Sequence, residues 1–169
     1  MQILVELGDV AVARAAREHL PTIARLLADD PTSPQYVATT TLVSDDIVGP
    51  LREVLDLEPY FDRIDADPNQ LLAVVLDEGD RVIGTFQLTM LPTLARGCAI
   101  QAIVSAARIR AGSDSLAVAK RVFAWVIEHA RNQGARVLVV VADKDRAHMH
   151  GFFTTMGFRT SHDGLVLPL

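Results

Sequence analysis

Aromatic residues are scarce in this chain, with one tryptophan, two tyrosines and six phenylalanines among 169 residues. Any core must therefore be filled mainly by Leu, Val, Ile and Ala. The apolar half of the sequence supplies enough of them for one domain of ordinary size, expected to span residues 1–169. Cysteine is nearly absent. Cys98 alone excludes an intrachain disulfide and a cysteine-rich zinc site, and a cytoplasmic setting is expected. No base or helix start near Cys98 favours a thiolate, so it is expected to be a packing residue. Basic charge is in deficit: the net charge is −5 and the pI near 5.4. That argues against nonspecific nucleic-acid or anionic-membrane binding, which needs a basic surface. No apolar run reaches the roughly 18 residues of a membrane span, and the start, MQILVELGD, lacks a signal peptide's basic end. Internal repeats and low-complexity tracts are also missing.

What is present is a clear alternation of periodicities. Residues 8–14 read as a short strand. Apolar residues Leu20, Ile23, Leu26 and Leu27 predict a helix over Arg17–Asp29, stopped by Asp29-Asp30-Pro31. A polar loop follows to Thr41, and residues 46–65 predict one or two helices. LLAVVL (71–76), a DEGD turn and RVIGTFQLTM (81–90) form a hairpin. Residues 99–109 are the next strand. Leu116, Ala119, Val122, Phe123, Val126, Ile127 and Ala130 share one face of a helix over 115–132, with Gly134 as its stop. RVLVVVA (136–142) predicts a strand buried on both faces. A short helix over 146–156 and two short strands complete the order. Consecutive strands without intervening helices exclude a doubly wound fold.

This order, with the segments ADPNQLLAVV, VIGTFQLTMLP, DKDRAHMHGFFTTMGF and SHDGLVL, resembles the GNAT acyltransferase superfamily over roughly residues 9–169. The resemblance implies an α/β GNAT fold: a central mixed, mostly antiparallel sheet of six to seven strands flanked by about four helices. It also implies an acyl-CoA donor in a V-shaped gap between the fourth and fifth strands, and frequent homodimers. The donor pyrophosphate would lie on a helix start with the pattern Arg/Gln-x-x-Gly-x-Gly/Ala, where backbone N–H groups and the helix dipole face an anion.

At that pattern the chain departs from the family. The pattern falls on Asp114, Ser115, Leu116, Ala117, Val118 and Ala119. The basic position is an aspartate and the central glycine an alanine. A pyrophosphate loses one charge-assisted bond there, worth about 1.5–3 kcal/mol, and meets a negative charge. A slipped register would put Arg110 in the basic role. The strand glutamate that serves relatives as general base is Ser105, although Arg108 matches. The backbone of Ala107, Arg108 and Ile109 retains the means to pair with a pantetheine arm. The tyrosine that protonates the leaving thiolate is Phe153.

Other residues are candidates for the chemistry that remains. His150, one turn before Phe153, has the ordinary pKa range of a base at neutral pH; a structural histidine fits the same position. Ser105 is either a catalytic-site contact or a polar strand residue. Gln87 and His162 are acceptor-side candidates, against a sheet-face hydrogen bonder and a turn residue. Lys144 and Arg146 follow a strand end, where ligands of α/β sheets bind, and suit a phosphate or an acidic carrier surface; a solvated turn is the plainer alternative. His148 and His150 diverge on a helix, so no metal is expected. Three readings follow. The chain transfers an acyl group from a pantetheine thioester, carried by an acyl carrier protein rather than free CoA, to a small-molecule amine. Alternatively it is a noncatalytic binding or partner protein of the same fold, or a conventional acetyl-CoA enzyme.

Overall fold

The computed structural model describes residues 1–28, 56–94, 97, 99–112, 114–141 and 147–161. Among them six strands form one sheet in chain order. These are β1 (Gln2–Glu6), β2 (Val10–Arg14), β3 (Gln70–Asp77), β4 (Val82–Pro92), β5 (Ile100–Ile109) and β6 (Ala135–Val140). Every neighbouring pair is antiparallel except β5 and β6, which run parallel. A parallel pair needs a crossover, and helix α3 (Ser115–Asn132) supplies it. Helices α1 (Leu20–Ala28), α2 (Glu58–Asp65) and α4 (Ala147–Thr155) complete the described elements.

The alternation of side chains along the strands divides the core in two. Val10, Val12, Leu71, Ala73, Val75, Phe86, Leu88, Ala102 and Val104 face α3, which buries Val118, Val122, Phe123, Val126 and Ala130 against them. Each Val, Leu or Phe side chain among them contributes about 1.5–3 kcal/mol of burial. On the other face Ala13, Val74 and Leu76 pack with Leu20, Ile23 and Phe61 of α1 and α2. Aromatics are few but concentrated: Phe123, Phe152, Phe153 and Phe158 meet edge to face at 5.2–5.8 Å between ring centres.

Two expectations are corrected. The first strand of the sheet is β1, absent from the sequence reading. Residues 8 and 9 belong to the turn between β1 and β2, where Gly8 has φ +81° and Leu7 N–H donates to Val10 O at 2.7 Å. Strand β6 is not buried on both faces, because Val137, Leu138, Val139 and Val140 are half-buried and Arg136 is exposed. Leu138 and Val140 pack on the α3 core while the alternate residues point away from it. The helix over 115–132 has the bounds the apolar stripe predicts. The expected loop to Thr41 and the two final strands lie outside the described residues.

Candidate functional site

The β5–β6 ladder runs from Ile100–Ala135 to Val104–Val140 and stops there. Strand β5 continues to Ile109 on β4 alone among the described strands. Residues 105–109 thus border a gap beyond the end of β6, where no described strand pairs with them, roughly 13 Å long at 3.3 Å per residue. A β-bulge sits at the start of this stretch. Gln87 faces Ser105 and Thr85 faces Arg108, so β5 carries one more residue than β4 between those pairs. Ala106 absorbs the excess in the left-handed region, at φ 50°. A bulge bends its strand and re-aims the neighbouring side chains. Here it turns Ser105 and Arg108 to the α1/α2 side and returns Ala107 and Ile109 to the α3 core.

At the apex of the gap the sheet face is polar without being charged. Gln87 Nε2 donates to Gln70 Oε1 at 3.0 Å, and Thr89 Oγ donates to the same oxygen at 2.7 Å. Gln70 and Thr89 are cross-strand partners, as are Gln87 and Ser105. All four residues are half-buried. Gln70 and Thr89 carry no signal in the sequence alone, because their meeting depends on the β3–β4 register. Arg108 lies one pairing row beyond, its Nη1 donating to the Ala107 carbonyl at 2.8 Å.

The mouth of the gap leads to an open groove of about 550 Å³ between the β3–β4 turn, the β1–β2 turn and the start of α3. Asp9, Asp77, Glu78 and Asp114 line it together with Arg81 and Arg110. Two arginines in this region are already committed. Arg81 Nε donates to Asp77 Oδ2 at 2.8 Å, and this hydrogen bond above all holds the Asp77 carboxyl below its ordinary range. Arg121 donates to Leu7 O at 2.8 Å and to the Asp9 carboxylate, whose pKa is lowered chiefly by that bond. Arg110 is exposed and makes no ion pair among the described residues; only its backbone N–H is engaged, with Ile83 O at 2.7 Å.

Helix α3 begins beside this groove with Asp114 as its N-cap. The aspartate is exposed and makes no side-chain capping bond. Ser115 Oγ instead donates back to Gly112 O at 3.0 Å. Leu116 and Ala117 are exposed, Val118 is buried in the α3 core, and Ala119 packs at its edge. A negative charge therefore stands at the positive end of a helix, where the resemblance would put a cation gripping pyrophosphate. Phe153 is 7% exposed and lies within the aromatic cluster. His150 belongs to α4, but its side chain, like all of Lys144, Arg146 and His162, lies outside the described residues. No metal-ligand cluster occurs among the described residues. No described helix is long and apolar enough to cross a membrane.

Comparison with known proteins agrees with this architecture. The sequence profile of the acetyltransferase (GNAT) family matches residues 40–158. No curated protein matches the chain. Solved structures similar to it include a transcriptional regulator from Bacillus halodurans C-125, 22% identical with a TM-score of 0.77, covering 95% of this chain and 99% of that one. Glucosamine-6-phosphate N-acetyltransferase from Arabidopsis thaliana is 10% identical with a TM-score of 0.68, over 95% and 99% of the two chains. A GNAT family acetyltransferase from Staphylococcus aureus is 13% identical with a TM-score of 0.65, over 96% and 100%. At these identities the structures attest the fold, and the profile match over more than half of the sequence attests the family. The chain belongs to the acetyltransferase (GNAT) family and is an acyltransferase of that fold.

Proposed function

We propose that this acyltransferase moves an acyl group from a pantetheine thioester to an amine of a small molecule, the thioester being presented by an acyl carrier protein. The observation that carries the reading is the contrast between the two ends of the gap. Its strand edge, Ser105 to Ile109 on β5, keeps the main chain with which a pantetheine arm pairs. Its mouth opens on Asp114, among three further carboxylates and only one arginine without an ion pair among the described residues. A donor with a single phosphate at its tether asks less of this corner than CoA, whose pyrophosphate meets repulsion there. Lys144 and Arg146, beyond the end of β6, are assigned to the carrier's phosphate or acidic surface.

In the reaction the amine nitrogen attacks the thioester carbonyl, a tetrahedral oxyanion forms, and the carbon–sulfur bond breaks. The proton lost by the amine ends on the departing thiol. Thiolate is a good leaving group, so the absence of a tyrosine at Phe153 is tolerable. Ser105 and Gln87, at the apex, are assigned to orient the acceptor, and His150 to take its proton. His162 is assigned to the acceptor's entry.

Arg110 favours a second reading. Its exposed guanidinium, two residues before Gly112 and beside the start of α3, offers acetyl-CoA a cation from a slipped register. Calorimetric titration with CoA and acetyl-CoA separates the two. Absent binding, together with transfer from an acylated carrier protein followed by mass spectrometry, supports carrier donation. Micromolar CoA binding that Arg110→Ala abolishes supports the second reading. Transfer from neither donor to any amine refutes both.

A further inference from the structure

The polar floor at the gap apex carries information about the acceptor. Across β3, β4, β5 and β6, the positions on the α1/α2 side from the apex inward are Gln70, Leu72, Gln87, Thr89, Leu91, Gln101, Ile103, Ser105, Val137 and Val139. None bears a charge. Among the described residues the nearest charge on this face is Arg108, one pairing row beyond Ser105, whose Nη1 donates to the Ala107 carbonyl.

Within this floor the hydrogen bonding is incomplete in one direction. Gln70 Oε1 receives two side-chain bonds, from Gln87 and from Thr89. The Gln87 carbonyl oxygen, the Gln70 amide nitrogen and the Ser105 hydroxyl have no hydrogen-bond partner among the described residues. Among the described residues the buried unsatisfied atoms are the Nε atoms of Arg108 and Arg121, whereas Gln70, Gln87 and Ser105 are half-buried. Directly opposite cross-strand side chains have Cβ atoms about 4.5–5.5 Å apart. The side chains of Gln87 and Ser105 therefore stand side by side on this face, one residue past the last β5–β6 pair.

We infer that Gln70, Gln87 and Thr89, with Ser105, form a specificity floor for an amine whose neighbouring substituent is an uncharged hydrogen-bonding group, a hydroxyl or an amide, rather than a carboxylate or phosphate. This rests on the proposed acyl transfer to a small amine. A site built to hydrogen-bond a substrate hydroxyl discriminates strongly against the analogue lacking it, because its polar groups are then left unpaired. A substrate anion, by contrast, finds no cation on this floor to offset its lost hydration. Gln70 is a positioning residue, since its oxygen fixes the amide of Gln87 and the hydroxyl of Thr89.

The test uses acetyl-pantetheine, which has no phosphate and so is indifferent to the donor question. Acceptors are aminopropanediol, alaninamide, propylamine, alanine and phosphoethanolamine. The expected kcat/KM for aminopropanediol and alaninamide exceeds that for propylamine by about tenfold or more, equivalent to about 1.4 kcal/mol, with alanine and phosphoethanolamine below both. Gln70→Leu and the isosteric Thr89→Val are each expected to lower the aminopropanediol-to-propylamine ratio about fivefold or more. Thermal unfolding monitors folding, and Thr89→Val decides if Gln70→Leu is unfolded. Transfer with no preference, or a ratio unmoved in the folded variants, overturns the specificity floor and leaves acyl transfer standing. Transfer to no amine at all overturns both.

Discussion

Asp114→Arg should convert the groove at the start of α3 into a better phosphate site. The substitution changes the local charge by two units at the N-cap of an 18-residue helix. For a phosphate oxygen about 5 Å away, each unit charge contributes about 0.8 kcal/mol in bulk water. The change is then worth about 1.7 kcal/mol before screening, and the Debye length of about 8 Å at physiological ionic strength trims it only in part. A charge-assisted hydrogen bond from the new guanidinium brings the total to about 1.5–3 kcal/mol. The expected gain in CoA affinity is about tenfold, rising towards 100-fold if the bond forms fully. Calorimetry of CoA, phosphopantetheine and pantetheine on both proteins measures it. The gain must be largest for CoA, smaller for phosphopantetheine and absent for pantetheine. An equal CoA affinity in the two proteins would falsify the register that puts Asp114 at the pyrophosphate, and a loss of binding in Arg110→Ala would then locate the phosphate grip four residues earlier.

Three further outcomes are expected. In Gly84→Ala the added Cβ lies 2.5 Å from Ile109 Cδ1 and 2.9 Å from the Arg108 carbonyl oxygen; the backbone beside the bulge must move, at about 1–3 kcal/mol in chemical denaturation, and a cost below about 0.5 kcal/mol would show that β4 and β5 are not so closely apposed. Phe123→Ala removes the ring that meets both Phe152 and Phe153, and should lower unfolding stability by about 3–5 kcal/mol; a cost of about 1 kcal/mol would deny α4 its place on this cluster. His129, stacked on Trp125 at 4.7 Å, has its pKa lowered from 6.5 by burial first and by Arg14 second. The unfolded chain therefore takes up this proton at higher pH than the folded one, so stability is full above about pH 6.5 and declines as pH falls through the interval below it. His129→Gln should flatten that segment of the stability–pH curve, and an unchanged slope would assign it to other groups.

The sequence was most informative where one physical signal dominated. The stripe from Ala119 to Ala130 defines α3 because a long amphipathic helix repeats its apolar face turn after turn, although Leu116, expected on the same face, is exposed in the first turn. The β3–β4 hairpin is equally plain, since Asp77 accepts the backbone N–H groups of Gly79 and Arg81 and closes the turn. Strand β1 was hidden because QILVE is only five residues long and its apolar residues are mostly half-exposed at the sheet margin. The bulge at Ala106 left no trace, because alanine is not a residue that announces a left-handed conformation. At the site, Asp114, Ser105 and Phe153 were singled out from motif positions. The Gln70–Gln87–Thr89 network was not, since it exists only once two strands have found their register.

The chain-order sheet also bears on how the protein folds and loosens. Adjacent strands from β3 through β5 pair with near neighbours in sequence, so their ladder closes with short loops and little entropy. Strand β6 can join only after α3 has crossed the sheet and docked. The β6 side is accordingly the shallow part of the sheet, with half-buried β6 side chains where β3 has fully buried ones. Amide hydrogen exchange should release β6 before β3. A fold assembled in this sequence gathers its most rigid strands at the middle of the sheet and leaves its most readily parted seam along β6.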